Sequence, residues 1–544
     1  MKKTLLLLAC IVGLAFFFRI YKVTQIPPAL SWDEVSIGYN AYSILKTGRD
    51  EHGRYMPIDA FVAYGDYKPV LPVYLTVPFV ALFGLNELAV RLPSVIAGTL
   101  TVLFTYFLAK ELFKNKYSFG IWHLAFGIPE VASILLAISP WHMQLSRAGF
   151  EANIALMFVV LGVWLVLKAR SYPKLFVIAW LPFVASMYTF NSARYFVPLL
   201  GLALLIFCRK EINKYVKLFF GGVVVAIIFL LPILPYLLSP AARLRFAEVN
   251  IFTDFSVVKT ANDRMAVDGN IWWSKILHNR RLGYARSYLL HLFDNVEPWF
   301  LFIRGDGNPK FSLQDVGQLY VVEIPFLILG IYWLLVGERR IAWLLLAWAI
   351  GAVLPAATAR ETPHALRIEN SLPVWQIIVA YGIVSVYQCI SVSKKRVFMV
   401  VVVFLYVSNF SYFWHNYYNH YAKEYSGEWQ WGYREAVQDI ASMKDQYQKI
   451  VLTENLGRPH TYIAFYERIH PEEYRRIIDG SFDSAGFYNP YGLGKYRFTR
   501  QGVGEMEART LYVLEPQYVP AGARIIKTIP LLNGNPVLVV FDKP

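Results

Sequence analysis

Long apolar runs recur through this chain, and they rule out a soluble globular fold. A run crossing roughly 30 Å of hydrocarbon has no water to satisfy its backbone, so it must be helical. Such runs fall at about 4–20, 87–112, 118–139, 153–168, 175–190, 194–208, 218–238, 319–337, 341–357, 373–392 and 397–414. They predict about eleven transmembrane helices in a polytopic α-helical membrane protein.

If the first span starts inside, the inner loops carry Lys114 and Lys116; Lys168, Arg170 and Lys174; Arg209, Lys210, Lys214 and Lys217; Arg339 and Arg340; and Lys394, Lys395 and Arg396. Every inner loop is then basic, as the positive-inside rule requires. The alternation places about 21–86, 140–152, 239–318 and the tail from about 415 outside. The run 68–84 is apolar but short and contains Pro72 and Pro78; it is expected to lie in or near the outer interface. The N-terminus has a basic start and an apolar core but no small-x-small cleavage site before Arg19, so an uncleaved anchor is expected. The expected location is the plasma membrane of a cell envelope, multi-pass, with the N-terminus cytoplasmic.

A formal charge of +15 would point to nucleic acid in a soluble protein. Here much of the surplus sits in short inner loops, so it reads as a topology signal and no nucleic-acid partner is expected. Cys10, Cys208 and Cys389 lie in or at the ends of apolar runs, with no metal-site or disulfide spacing. The tail trades long apolar runs for short ones, KIVLTE, RTLYVLE, ARIIKTIP and NPVLVVFD, after a helical EWQWGYREAVQDIASMKDQ. This pattern predicts a small extracytoplasmic α/β domain. The expected division is 1–415 for the membrane domain, with its acidic motif in outer loop 21–86, and 416–544 for the tail domain.

The candidate chemistry gathers in the outer segments. Asp33 and Glu34, in PPALSWDEVSIGYNAYSILKTG, are adjacent carboxylates at a membrane edge. They read either as helix caps or as functional acids, because ionised groups there are costly unless paired, hydrated or used. Asp66 and Lys68 follow in AYGDYKPVLPVYL, where an ammonium beginning an interfacial helix suits a phosphate or snorkels to headgroups. Arg147 and Glu151 are four apart in SPWHMQLSRAGFEANIAL and share a helical face. Arg194 falls near another outer turn, Arg304 and Asp306 lie in LFIRGDGNPKFS, and His364 and Arg367 lie in ARETPHALRIENSLPVW. Acids and bases from several loops on one side, with spans nearly free of charge, weigh against ion-coupled transport and favour chemistry at the membrane edge.

The combination of WDE, DYKPVLPVYL and a span opening NELAVRLPSVIAGTL resembles the GT-C membrane glycosyltransferases, in the branch of protein O-mannosyltransferases and aminoarabinose lipid A transferases (glycosyltransferase family 39-like). The resemblance covers roughly residues 1–415 and extends to RGDGNP and HALRIENSLP. It implies a GT-C fold and inverting transfer of a hexose or pentose from a polyprenyl-phosphate carrier to a lipid, glycan or protein acceptor on the outer face. It also implies Asp33 as general base with Glu34 in support, and Lys68, Arg147, Arg194 and Arg367 as donor-phosphate cations. Asp66, Glu151, Arg304, Asp306 and His364 are expected around the substrates. Related oligosaccharyltransferases hold a divalent metal and carry a Trp-Trp-Asp motif; this chain has Trp272-Trp273-Ser274 instead. No metal or other cofactor is therefore expected, although Asp33 with Glu151 could hold a cation. The alternatives are a lipid-linked sugar or polysaccharide transporter, an assembly scaffold, or a metal-dependent oligosaccharyltransferase.

Overall fold

The computed structural model describes residues 2–63, 66–114, 118–121, 124–240, 242, 249–483 and 488–544. The chain forms two compact units, each assembled from separated segments. One contains residues 1–18, 98–145 and 152–411, and the other 19–97, 146–151 and 412–544.

Seven helices among the described residues are long and apolar enough to cross a membrane: 3–20, 87–113, 151–169, 216–238, 339–356, 369–389 and 392–424. The other four expected spans are also helical but shorter, at 128–138, 173–187, 193–207 and 323–337, and the run near 68–84 forms a fifth short helix. The fold is thus polytopic and helical, with a small C-terminal sheet domain.

Proline accounts for two of the short spans. The expected span 118–139 yields helix only from Ile128–Ile138, which Gly127 caps and Pro129 opens, because proline's missing N–H is harmless only in a first turn. Before it, Ser118–Ile121 and Leu124–Gly127 pair as an antiparallel ribbon. The expected span 175–190 divides into a 3-10 turn, Pro173–Val177, and a helix, Leu181–Met187, each with proline at its start.

In the first unit, helices Glu323–Gly337 and Val374–Cys389 cross through facing glycines. A Cβ on Gly330 would stand 2.2 Å from the Ile378 carbonyl oxygen, and one on Gly382 would stand 2.1 Å from that of Phe326. Small residues permit such close backbone approach where lipid offers no hydrophobic drive.

With the first helix, Lys2–Ile20, as α1, the second unit contains α2 (Trp32–Thr47), a ribbon of β1 (Phe61–Ala63) and β2 (Asp66–Lys68), α3 (Val70–Phe83) and the tail. The tail sheet comprises β5 (Lys449–Thr453), β6 (Ile478–Phe482), β7 (Tyr488–Leu493), β8 (Tyr496–Thr499), β9 (Thr510–Leu514), β10 (Arg524–Pro530) and β11 (Pro536–Asp542), with β3 and β4 being the Ser118–Gly127 ribbon. Its order is β10-β11-β9-β5-β8-β7-β6. Strand β5 runs parallel to both neighbours, and all other pairs are antiparallel. One of its faces buries Val451, Tyr512, Leu514, Val539 and Phe541.

The tail packs directly on α2. Tyr462 donates to the Leu30 carbonyl at 2.9 Å, Tyr39 to that of Ile469 at 3.0 Å, and Arg475 to that of Asp50 at 3.1 Å.

Replacing Gly382 with leucine should push the glycine-mediated crossing apart. The expected loss is about 1–3 kcal/mol, typical of overpacking, read as a lower melting temperature of the detergent-solubilised protein.

Candidate active site

The acidic stretch enters α2 through a capping box. Ser31 accepts from the Glu34 amide at 3.4 Å, and the Ser31 amide donates to Glu34 Oε2 at 2.9 Å. This satisfies amides that the first turn would otherwise leave open. It also separates the two acids, because successive helical residues point about 100° apart. Glu34 turns inward and is fully buried, whereas Asp33 stays partly exposed.

Glu34 is held by a second partner that the sequence reading did not single out. Arg91, also fully buried, donates from Nε to Glu34 Oε1 at 2.8 Å. Its other nitrogens reach the carbonyls of Val23 at 2.6 Å, Pro27 at 2.8 Å and Ala29 at 2.6 Å. The available signal was a charge inside the span-opening NELAVRLP, since a buried arginine needs both a counter-ion and acceptors. Glu34 Oε1 also accepts from the Gly149 amide at 2.9 Å. A Cβ on Gly149 would lie 3.2 Å from Glu34 Cγ, so this close approach favours glycine.

Arg147 holds the same loop from the other side. Nη1 donates to the Arg19 carbonyl at 3.1 Å, Nη2 to those of Tyr21 at 2.7 Å and Ile26 at 2.9 Å, and Nε to the Tyr417 hydroxyl at 3.3 Å. Tyr417 belongs to a π-helical turn, Tyr417–Tyr421, which lays its ring and that of Tyr418 beside the guanidinium. Arg147, expected as a phosphate cation, is fully buried and donates to the 19–26 loop. In the free protein this geometry leaves it a clamp.

Lys68 ends β2, directly before the α3 N-cap Pro69. Its ammonium pairs with Asp33 Oδ1 and lies 3.8 Å from Glu151 Oε1 at the start of the helix Glu151–Ala169. The lysine is nearly buried, Glu151 is largely so, and Asp33 has about a third of its side chain open. One ammonium therefore sits between two carboxylates, with Asp33 the most accessible. Asp66 is next to this site in sequence, but its side chain lies outside the described residues.

The remaining candidates belong to the other unit. Asp306 is buried, accepts from the amides of Ala365 at 2.6 Å and Asn308 at 2.8 Å, and lies 3.8 Å from His364 Nδ1. Burial pushes its carboxyl up to about 6, against the pull of those two amides. It fastens the 304–318 loop to the 364–367 segment. Arg367 donates to the Glu361 carbonyl at 3.0 Å, Arg194 to that of Met187 at 3.0 Å, and Arg304 is exposed beside the Trp299 ring. The structure thus brings Asp33, Glu34, Lys68, Arg147 and Glu151 into one unit and Arg194, Arg304, Asp306, His364 and Arg367 into the other. Among the described residues, no group of three or more His, Cys, Asp or Glu side chains is arranged to hold a metal.

No curated protein matches the chain in sequence. Residues 67–236 match the family model described as dolichyl-phosphate-mannose-protein mannosyltransferase. In fold the chain is similar to ArnT from Cupriavidus metallidurans, in crystal structures bound to undecaprenyl phosphate (13% identity, TM-score 0.52) and in the apo state (11% identity, TM-score 0.51), over 99% of this chain and 97% of that one in both cases. It is also similar to the apo oligosaccharyltransferase of Archaeoglobus fulgidus, with 13% identity and a TM-score of 0.50 over 86% of this chain and 64% of that one. The family match covers residues 67–236, and the likeness to the solved structures is one of fold.

Arg91→Ala should strand the buried Glu34 carboxylate and destabilise the protein by about 3–5 kcal/mol, measured by thermal unfolding in detergent. A second check uses Glu51, which is buried against Asn40 with Asn40 Nδ2 at 3.0 Å. Burial raises its carboxyl from 4.5 to about 8. Between those values the folded chain holds a proton that the unfolded chain releases, so stability falls as pH rises through this window. Glu51→Gln keeps the acceptor and should remove that slope, giving a melting temperature above wild type at pH 8.5 and close to it at pH 4.5.

Proposed function

We propose that the protein is an inverting glycosyltransferase that moves a sugar from a polyprenyl-phosphate-linked donor to an acceptor at the outer face of the plasma membrane. The observation that carries this reading is the ammonium of Lys68 between the carboxylates of Asp33 and Glu151. Such a trio can exchange partners. When a donor phosphate approaches Lys68, the flexible lysine stem lets the ammonium follow the new anion. Asp33 is then released from Lys68 beside the reacting carbon, while Glu151 keeps Lys68 in place.

Transfer follows as a balanced displacement. The acceptor hydroxyl or amine attacks the anomeric carbon and gives its proton to Asp33, which must be within hydrogen-bond reach of that proton. The bond from the anomeric carbon to the phosphate oxygen breaks, and its electron pair stays on the phosphate. Lys68 meets this growing charge with a cation already in position. Glu34, Arg91 and Arg147 act as positioning residues, holding the 19–34 loop so that Asp33 faces the site. The tail, packed on α2 beside the Asp33 turn, is suitably placed to act in acceptor selection.

The same arrangement supports metal-independent chemistry. A divalent ion between Asp33 and Glu151 would compete for the place that Lys68 takes. ArnT, similar in fold, was crystallised with undecaprenyl phosphate, which agrees with a lipid-phosphate donor.

Asp33→Asn should retain the fold and lose at least about 100-fold in transfer of labelled sugar from a polyprenyl-phosphate donor in proteoliposomes, the scale of a lost general base. Lys68→Ala should lose donor turnover, and a chelator should leave the wild-type rate unchanged. Full activity of Asp33→Asn would remove the assigned base, and chelator-sensitive activity would favour a metal-dependent oligosaccharyltransferase. Flux of an unaltered lipid-linked sugar across the vesicle wall would favour a transporter.

A further inference from the structure

The segment between the helices ending at Leu238 and beginning at Glu323 contains an amphipathic helix whose polarity is reversed. In Arg280–Asp294 no residue is buried. Two of its tyrosines turn toward the protein: Tyr284 donates to the Asp254 carbonyl at 3.2 Å and Tyr288 to that of Leu354 at 3.1 Å. Leu282, Leu289 and Phe293 form a stripe at helical spacing and are 51%, 54% and 63% exposed. A helix in water would bury this stripe and expose its tyrosine hydroxyls. The preceding short helix, Trp272–Leu277, repeats the pattern, with Trp272 76% exposed.

Beside this apolar surface lies a cleft of about 530 Å³, lined in part by Lys275, Arg280 and Arg281. All three are exposed, and none forms an ion pair among the described residues. Across 255–294 six Lys or Arg residues stand against three Asp. Of these acids, Asp268 is engaged by Ser274 and His278, and Asp294 by Thr362.

We propose that residues 255–294 lie in the bilayer interface and that the Lys275–Arg280–Arg281 cleft binds the phosphate of an anionic phospholipid. The apolar stripe and Trp272 enter the acyl boundary, and the cations meet the headgroup layer, the arrangement that suits an interfacial amphipathic helix. The occupant follows from the placement. Apolar spans on both sides tether the segment at the membrane, and unpaired positive charge is joined to exposed apolar surface.

The test uses the full-length protein in nanodiscs of phosphatidylcholine with or without phosphatidylglycerol. With Cys10, Cys208 and Cys389 replaced by serine, a nitroxide placed by Ile276→Cys or Leu289→Cys should collide more with oxygen than with a water-soluble nickel complex. Preferential access to nickel at both sites would overturn the membrane placement. Native mass spectrometry should detect phosphatidylglycerol bound to the wild type, and combined Lys275→Gln, Arg280→Gln and Arg281→Gln should reduce it about fivefold per charge removed. Undiminished lipid in this triple variant, or displacement of the lipid by inorganic phosphate alone, would overturn the headgroup site. Sugar transfer should be unchanged in both label variants, so this test can fail without affecting the assigned base.

Discussion

The buried pair of Glu34 and Arg91 is the interaction on which the site depends. Removing two charges from water is costly, and their attraction offsets that cost only when the geometry is good and the remaining donors and acceptors are filled. Here they are filled. Arg91 gives its spare nitrogens to three carbonyls of the 23–29 loop, and Glu34 accepts from its own cap and from Gly149. One ion pair thereby fixes the approach to α2, the first turn of α2 and the chain just before Glu151. Asp33 and Glu151, the two acids on Lys68, belong to those fixed segments.

This also explains why adjacent carboxylates have different fates. A capping box takes Glu or Gln three residues after the cap, and from Ser31 that position is Glu34. Asp33, one residue earlier, has no part in the box and turns toward Lys68. Capping and chemistry were competing readings of one dipeptide. The helix resolves them by assigning one reading to each residue.

The membrane architecture was legible because its signal is long and repeated. Each of the eleven expected spans contains helix, although the one expected over 118–139 opens as a β ribbon, and the proline positions that shorten two of them are visible in the sequence. In the tail, the four apolar segments named as strands are β5, β9, β10 and β11. Strands β6 to β8, in IDGSF, YNPYGL and YRFT, went unread because glycine, proline and charge interrupt the alternation on which strand reading depends. At the site, Asp33, Lys68 and Glu151 were found from charge at a membrane edge. Arg91 was missed because its meaning depends on carbonyls more than sixty positions away. Arg147 was singled out from its position, but its bonds to the Arg19, Tyr21 and Ile26 carbonyls were not legible, since no local pattern marks an arginine that holds distant backbone.

The clamped arginines bear on how the site could bind an anion. Arg91 and Arg147 donate to carbonyls, while Lys68 pairs with Asp33 and lies beside Glu151. An ammonium already shared by two carboxylates has less charge to offer a third anion, so a phosphate that reaches it competes with those acids. Asp33 is the one to yield, because water can solvate it while Glu151 is more enclosed. The displaced acid is thus the residue proposed to accept the acceptor's proton. On this reading, donor binding itself frees the base, and an unloaded site keeps Asp33 occupied by Lys68.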